Sequence, residues 1–402
     1  MIDNIYDNII KIRIDQLINI IYSKFNEFSY FLTGVINMLD RHTKIEINQT
    51  TEPKQKPDQD HLVFGKNFTD HMFVMDYTLE KGWHDPRIEP YTPFTLDPAS
   101  MVFHYGQAVF EGLKAFKTED GEVQLFRPEK NAQRFNLSNE RMSMPTINEE
   151  FFVKAIQTLV ELDKDWVPDR EGSSLYIRPY IMATEPCLGV RPSHQYIFAI
   201  ILSPVGAYYS EGINPVNILV ENNFVRAVRG GTGIAKTSGN YAASLKAQIQ
   251  ANDVKCAQVL WLDGVERKYI EEVGSMNVFF KINGEIITPQ LNGSILEGIT
   301  RNSVIHLLKE WNIPITERRI SIEEVIEASK NGTLEEAFGT GTAAVISPIG
   351  GLHYNGELHV INQGKTGGLS KQVYDTVTGI QYGKMADPFG WTVKIGQMEV
   401  KN

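Results

Sequence analysis

The stretch Arg229-Gly230-Gly231-Thr232-Gly233-Ile234-Ala235-Lys236-Thr237-Ser238-Gly239-Asn240-Tyr241 holds a single lysine between small residues, with a tyrosine five positions after it. Ala242, Leu245 and Ile249 then recur at the spacing of a helix. Small residues let the backbone approach a flat or anionic ligand closely. In such a loop Lys236 can be a point charge for phosphate, an amine that forms a Schiff base with a carbonyl cofactor, or a solvated side chain on a glycine-rich turn. This stretch alone does not distinguish these three roles of Lys236, so other parts of the sequence are needed.

The composition excludes several classes of protein. The 402 residues are 42% hydrophobic and 22% charged, which is typical of a globular chain long enough for two domains. A net charge of −10 without a strong Lys/Arg cluster argues against nucleic acid as a partner. Cys187 and Cys256 form no metal or redox motif, and the nine histidines show no zinc-ligand spacing, so no metal is expected. Without a membrane-length apolar run, a signal peptide or a transit peptide, we expect a cytoplasmic protein with no membrane partner.

Shifts in composition divide the chain into four parts. Residues 1–60 are expected to be an extension outside the main fold, with a possible helix in 1–43 and a polar linker in 44–60. A small α/β domain is expected over 61–204, an interdomain loop over 205–215, and a larger domain over 216–402.

The apolar patterns predict the main elements of both domains. Strands are predicted at 72–77, 123–126, 174–181, 196–202, 259–262 and 276–280. Helices are predicted at 150–166, from Gly298 onward, after a capping box formed by Ser321 and Glu324, and at about 369–382.

Three segments could carry chemistry beside the lysine loop. Gly298-Ile299-Thr300 and Gly341-Thr342-Ala343 place small residues and a threonine at the start of an element, where free N–H groups and a hydroxyl can bind an anion. Ordinary capping by threonine is the alternative. Glu272, just before a strand, could keep a pyridine nitrogen protonated and make the ring an electron sink, or could be a surface acid in a turn.

A nucleotide site is the competing interpretation. Gly230 to Thr237 has the pattern G-x-x-x-x-A-K-T, and Leu260-Trp261-Leu262-Asp263 imitates the apolar run and aspartate of a magnesium site. Against this, Ala235 replaces the last glycine of the P-loop pattern, and Arg226-Ala227-Val228-Arg229 is not a buried first strand. A non-enzymatic binding module would leave the polar loops unexplained.

A series of short motifs runs through the chain from Leu62 to Tyr382. They are Phe64-Gly65-Lys66, Phe68-Thr69-Asp70-His71-Met72, Phe103-His104-Tyr105-Gly106, Phe110-Glu111-Gly112-Leu113-Lys114-Ala115-Phe116, Leu125-Phe126-Arg127-Pro128, Asp163-Lys164-Asp165-Trp166-Val167-Pro168, Tyr176-Ile177-Arg178-Pro179, Lys236 to Tyr241, Glu272-Val273-Gly274, Phe338-Gly339-Thr340-Gly341-Thr342-Ala343 and Ile380-Gln381-Tyr382-Gly383. In this order they resemble the branched-chain amino-acid aminotransferases, which are pyridoxal-phosphate enzymes of fold-type IV. Many separate motifs in the same order as in this family are much stronger evidence than the single P-loop pattern.

The resemblance implies a fold and an activity. The fold is α/β (of α+β type), with two domains and the cofactor between them, and the protein is expected to be a homodimer whose pocket borrows residues across the interface. The reaction is reversible transfer of an amino group between leucine, isoleucine or valine and 2-oxoglutarate, so the partners are small-molecule amino acids and 2-oxo acids. A D-amino-acid aminotransferase or an aminodeoxychorismate lyase is the closer alternative, which the apolar pocket and the length of the match disfavour.

The resemblance also assigns roles to single residues. Lys236 matches the lysine that holds pyridoxal 5'-phosphate as an internal aldimine and then shuttles the proton. Tyr241 matches the partner of the phenolic oxygen, Glu272 that of the pyridine nitrogen, and Arg134 the phosphate-binding arginine. The remaining cofactor contacts fall on Ser275, Leu296, Gly298, Ile299, Thr300, Gly341 and Thr342. The substrate contacts fall on Tyr105, Ser275 and Ala343 for the α-carboxylate, and on Phe64, Phe110, Tyr176 and Arg178 for the side chain.

The chain departs from the family pattern in three places. Ser275 occupies a position where some members have threonine, and serine also provides a hydroxyl group. Ala344-Val345-Ile346-Ser347 replaces the Cys-x-x-Cys of mammalian members, so no thiol switch is expected. The first sixty residues align with no part of the family, and their role is open.

Overall fold

The structure, a computed structural model, describes residues 44–206 and 213–396. The helix considered for residues 1–43 lies outside the described residues. The strands are β1 (Glu46–Ile47), β2 (His71–Thr78), β3 (Gly82–Pro90), β4 (Ala108–Phe110), β5 (Leu113–Lys117), β6 (Val123–Phe126), β7 (Ser174–Ala183), β8 (Gln195–Val205), β9 (Val216–Val220), β10 (Gln258–Leu262), β11 (Ile270–Val273), β12 (Asn277–Ile282), β13 (Glu285–Thr288), β14 (Ile315–Glu317), β15 (Leu334–Gly341), β16 (Val345–Tyr354), β17 (Glu357–Val360) and β18 (Thr392–Lys394). The α-helices are α1 (Met101–Tyr105), α2 (Pro128–Arg141), α3 (Glu149–Leu162), α4 (Ser238–Asp253), α5 (Ile299–Glu310), α6 (Ile322–Lys330) and α7 (Gly368–Gln381). In the described residues, no helix has the length and apolar character needed to cross a bilayer.

The first sheet has the strand order β1-β3-β2-β8-β7-β5-β6-β18, with β4 paired to β7. Helices α2 and α3 cover it, because their apolar stripes need a partner surface. The packing centres on Phe198 of β8, whose ring lies 5.6 Å from that of Phe135 of α2 and 5.8 Å from that of Phe152 of α3. The four strands predicted in this half are confirmed.

Helix α3 ends earlier than the sequence predicted. It stops at Leu162, and a short 3₁₀ turn, Lys164–Trp166, follows. The reason is tertiary: the Asp163 carboxylate leaves the helix direction and contacts the buried His71 side chain, with 2.6 Å between Oδ1 and Nδ1. Two of the motifs found in the sequence therefore meet in one buried pair.

The second sheet has the order β11-β10-β9-β16-β15-β12-β13-β14, with β17 on β16. Its two predicted strands, β10 and β12, and the predicted helices α5, α6 and α7 are confirmed. The capping box is only half formed. Ser321 Oγ accepts from Glu324 N at 3.1 Å, but the Glu324 carboxylate binds the Arg318 guanidinium instead of turning back to the helix start.

The two sheets meet at the lysine loop. Val109 of β4 forms an isolated bridge with Thr237, and Phe110 N donates to Lys236 O at 3.0 Å. The predicted helix after the loop is confirmed as α4, which buries Ala247 and Ala251 and leaves Leu245 exposed. The division into domains stays a proposal. Two strands do not follow the predicted boundaries. Strand β1 lies in the predicted extension and β18 in the predicted larger domain, yet both belong to the first sheet.

Candidate active site

The loop that carries Lys236 is held by the first turn of α4. Asn240 Nδ2 donates to the carbonyls of Thr232 and Ala235, both at 2.8 Å, and Asn240 Oδ1 accepts from the Thr232 hydroxyl at 2.7 Å. At Gly233 there is no space for a side chain, since a Cβ would lie 2.1 Å from Ser294 O. These contacts fix the direction in which the Lys236 side chain leaves the loop.

Lys236 lies between the two halves of the molecule. Its N–H donates to Ser138 Oγ of α2 at 3.0 Å, and its Nζ donates to Tyr241 OH at 2.8 Å. Nζ also lies 5.0 Å from the centre of the Phe110 ring. The structure thus brings Phe110 of one motif together with Lys236 and Tyr241, which belong to another.

Glu272 lies at the buried end of the site, 3% exposed. Its Oε2 is 2.7 Å from Arg226 Nε, and its Oε1 accepts from Leu296 N at 3.0 Å and from Asn277 Nδ2 at 3.3 Å. Burial raises the pKa of the Glu272 carboxyl, and the Arg226 charge and the Leu296 N–H oppose that shift. The sequence analysis missed Arg226 and Asn277, although a buried acid always calls for a cation or donors nearby.

Arg134 forms a bidentate pair with Glu111. Nε and Nη2 donate to the two carboxylate oxygens at 2.7 and 2.8 Å, and Nη1 donates to Glu297 O at 3.1 Å, beside the start of α5. Burial works to raise the pKa of Glu111, yet the Arg134 charge holds it below its usual value. Glu111 was quoted in a sequence motif but given no role. Its total burial, visible only in the structure, shows that it fixes the arginine.

The predicted phosphate donors gather around the start of α5. Gly298 is the N-cap residue and offers no side chain to the first-turn N–H groups of Ile299 and Thr300, so these donors face outward from the helix end. A Cβ at Gly298 would lie 2.0 Å from Asn277 Oδ1. Since Asn277 also contacts Glu272, one amide sets the spacing between the anion-binding end and the buried carboxylate.

The turn between β15 and β16 lies next to this helix start. Thr342 Oγ1 donates to Gly112 O at 3.2 Å, and Lys114 Nζ donates to Ala343 O at 2.8 Å. Both partners lie at the beginning of β5. Gly341, the last residue of β15, packs against Met276, where a Cβ would lie 3.0 Å from Met276 Cγ.

An apolar wall with one cation lies beside Lys236. The Phe64 and Tyr176 rings are 4.9 Å apart, and the Arg178 guanidinium carbon lies 4.7 Å from the centre of the Phe110 ring. Arg178 Nη2 donates to Tyr176 OH at 3.1 Å. Gly112 makes room for that hydroxyl, because a Cβ there would lie 2.0 Å from it.

Two predicted substrate residues have other surroundings. Tyr105 is 39% exposed, and its hydroxyl donates to the Leu188 carbonyl. Ser275 is exposed in the turn between β11 and β12. Their contact with the substrate, like every role assigned from the resemblance, stays a prediction.

The described groups fit pyridoxal 5'-phosphate. The amine of Lys236 is paired with a phenol, a buried carboxylate suits a protonated pyridine nitrogen, and an uncapped helix start beside two threonines suits a phosphate. In residues 44–206 and 213–396, no cluster of three or more His, Cys, Asp or Glu could hold a metal ion.

Comparison with known proteins identifies the family of this chain. Residues 108–351 match the family described as amino-transferase class IV, and the chain belongs to that family. It is 63% identical over 354 residues to branched-chain-amino-acid aminotransferase 2 of Bacillus subtilis (strain 168), covering 88% of this chain and 98% of that protein. It is 46% identical over 338 residues to the branched-chain-amino-acid aminotransferase of Mycolicibacterium smegmatis, covering 83% of this chain and 92% of that protein.

Solved structures show the same fold. The crystal structure of a branched-chain aminotransferase from Thermoproteus uzoniensis with norvaline has a TM-score of 0.68 and 25% identity, over 81% of this chain and 99% of that chain. The Escherichia coli branched-chain amino acid aminotransferase has a TM-score of 0.67 at 24% identity, over the same shares of the two chains. The predicted α/β fold-type IV architecture is confirmed.

Proposed function

We propose that this protein is a branched-chain amino-acid aminotransferase that transfers an amino group reversibly between leucine, isoleucine or valine and 2-oxoglutarate. The proposal depends mainly on one observation, the closeness of the Lys236 amine to a phenol and to an apolar wall. The Lys236 amine lies 2.8 Å from Tyr241 OH and 5.0 Å from the Phe110 ring, which forms the apolar wall with Phe64 and Tyr176. Two Bacillus subtilis relatives, at 63 and 59% identity, are named branched-chain-amino-acid aminotransferase 2 and branched-chain-amino-acid transaminase 1.

The cofactor is pyridoxal 5'-phosphate, which when bound supplies an electron sink for the carbanion formed at the substrate Cα. Lys236 would hold it through its amine, and the same amine would move the proton at the substrate Cα. Tyr241 holds the phenolic oxygen, and Glu272, kept in place by Arg226 and Leu296 N, holds the pyridine nitrogen.

The phosphate is held by the start of α5, by Thr342 and by Arg134. These groups would anchor the cofactor while the substrate Cα reacts. Glu111 orients the Arg134 guanidinium through two hydrogen bonds, so the arginine loses little side-chain entropy when the phosphate binds.

The substrate side chain lies against Phe64, Phe110 and Tyr176, and Arg178 serves the γ-carboxylate of glutamate. In residues 44–206 and 213–396, Arg178 forms no ion pair with an acid. That leaves its guanidinium, stacked on Phe110, free to bind a carboxylate from outside the protein. Tyr105, Ser275 and the Ala343 N–H bind the α-carboxylate.

The proposed assembly follows the family resemblance, and the proposed location rests on Cys187 and Cys256, which form no disulfide and suit a reducing compartment. The protein acts as a cytoplasmic homodimer on small-molecule amino acids and 2-oxo acids, with the pocket completed by residues of the second subunit. It has no nucleic-acid or membrane partner.

An absorbance spectrum followed by an amino-donor screen tests this proposal. The purified protein should be yellow, borohydride should fix the cofactor on Lys236, and leucine, isoleucine and valine should bleach the cofactor absorbance faster than D-alanine does. Lys236→Ala should abolish the covalent link, whereas Lys246→Ala, an exposed lysine of α4, should not. A colourless protein that hydrolyses ATP would overturn the proposal, and preference for D-alanine would reassign the substrate.

A further inference from the structure

Lys114 is a buried lysine to which no role has been assigned. The residue is 8% exposed on β5, and its Nζ donates to Ala343 O at 2.8 Å. In the described part of the chain, no carboxylate lies within ion-pair distance of it. A buried ammonium without a counter-charge is costly to the fold, so its presence calls for an explanation.

The surroundings of Lys114 point toward the anion-binding end of the site. A cavity of about 20 Å³ is bordered by Lys114, Asn131, Ile299, Thr300, Thr342 and Gln381. Three of these, Ile299, Thr300 and Thr342, are the proposed phosphate donors. In the same cavity wall, Gln381 Oε1 is buried and has no hydrogen-bond partner within residues 44–206 and 213–396.

Lys114 also controls the shape of the turn that carries two proposed ligand contacts. The beginning of β5 holds this turn at two points, from Lys114 Nζ to Ala343 O and from Gly112 O to the Thr342 hydroxyl. A shift of the turn would therefore move both the Thr342 hydroxyl and the Ala343 N–H.

Lys114 contributes a positive charge to the region of the proposed phosphate donors. Arg134 is neutralised by the bidentate Glu111 pair, so those two residues together bring no net charge to the phosphate. Lys114 brings one full charge to the same region. Burial of its ammonium lowers the pKa of Lys114 to about 8, which a nearby anion would counteract.

We propose that Lys114 is a positioning residue for the cofactor phosphate, which fixes the 342–343 turn and whose buried charge is compensated when the phosphate binds. The inference rests on the proposed function, because it needs a phosphate-bearing cofactor. It explains why a charged side chain is kept where an apolar one of similar volume would favour the folded protein.

The test measures affinity and stability of the apo protein, not activity alone. Wild type, Lys114→Met, Lys114→Arg and the control Lys117→Met, a partly buried lysine on the same strand, are titrated with pyridoxal 5'-phosphate and with inorganic phosphate by calorimetry. Lys114→Met should bind both roughly ten- to a hundredfold more weakly, as expected for loss of one charge-assisted contact. Lys114→Arg should stay within about tenfold of wild type because the charge remains, and Lys117→Met should match wild type.

Melting of the apo proteins separates this role from a merely structural one. Apo Lys114→Met should unfold at a temperature equal to or above that of wild type, since the unpaired charge is gone. If it binds the cofactor as tightly as wild type, the inference is wrong. It is also wrong if Lys114→Met and Lys114→Arg both melt earlier and lose affinity equally, because the side chain would then be a packing element. If wild-type apo protein fails to bind pyridoxal 5'-phosphate at all, the proposed function itself fails.

Discussion

Replacing Arg178 by methionine should damage one half of the transamination and spare the other. A single pocket must accept both a branched apolar side chain and the γ-carboxylate of glutamate, and an unpaired carboxylate against apolar surface is costly. The guanidinium lies 4.7 Å from the centre of the Phe110 ring and donates to Tyr176 OH at 3.1 Å. The guanidinium therefore lies at the apolar wall and can still donate a hydrogen bond, since its Nε has no partner among the residues that the structure describes.

The size of the effect follows from one charge-assisted contact. Such a contact contributes about 1.5–3 kcal/mol, which is roughly a ten- to hundredfold change in rate. The loss should fall on the half-reactions with glutamate and 2-oxoglutarate. The leucine half-reaction should change little, because methionine keeps apolar contact with the Phe110 ring.

Single-turnover absorbance of the bound cofactor, followed separately with leucine and with glutamate, measures the two half-reactions. Arg87→Met is the matched control, since Arg87 lies in the same sheet and is already paired with Asp76 and Glu89. It should leave both rates unchanged. Equal losses in the two half-reactions of Arg178→Met would refute the reasoning and make Arg178 an arginine that supports the fold.

Three further changes test the rest of the site. Glu272→Gln should retain the cofactor, measured by absorbance, but lower turnover by about a hundredfold or more, because a neutral amide cannot keep the ring nitrogen protonated; unchanged turnover would remove Glu272 from the mechanism. Gly112→Ala should reduce kcat/KM for leucine about tenfold, since its Cβ would lie 2.0 Å from Tyr176 OH, and Tyr176→Phe in the same protein should recover part of the loss. Finally, the pKa of Lys114 is about 8 in the folded protein against an ordinary 10.5, so the unfolded chain holds the extra proton between these pH values. Apo stability should therefore rise as pH increases from 8 to 10.5, removing a cost of roughly 3 kcal/mol, and denaturant titrations of Lys114→Met should lack this slope.

In the described part of the chain, local patterns predicted six of the eighteen strands, five of the seven α-helices and the loop that carries Lys236. Strand alternation and helical periodicity depend on neighbours in sequence, so they identified β2, β10, β12, α5 and α7. Lys236 and Tyr241 are five residues apart across the start of α4, so their meeting is also a local event. The family motifs named the remaining ligand groups, but only as a resemblance.

Two helix ends were predicted less well, because a group outside the helix binds the side chain at that end. Helix α3 stops at Leu162 because Asp163 bonds His71, 92 positions earlier in the chain. The capping box at Ser321 is half formed because Arg318 takes the Glu324 carboxylate. Neither competitor is visible in the periodicity of the helix concerned.

The sequence by itself determined the strands and helices whose apolar pattern is regular, the lysine loop and the uncapped start of α5, since these depend on residues close together in the chain. The tertiary structure decided which buried charge meets which partner. Glu111 meets Arg134 from 23 positions away, and Lys114 meets Ala343 from 229 positions away. The physical reason is that a buried ion must be satisfied within a few ångströms in space, and only the order of strands in the two sheets settles which groups lie that close.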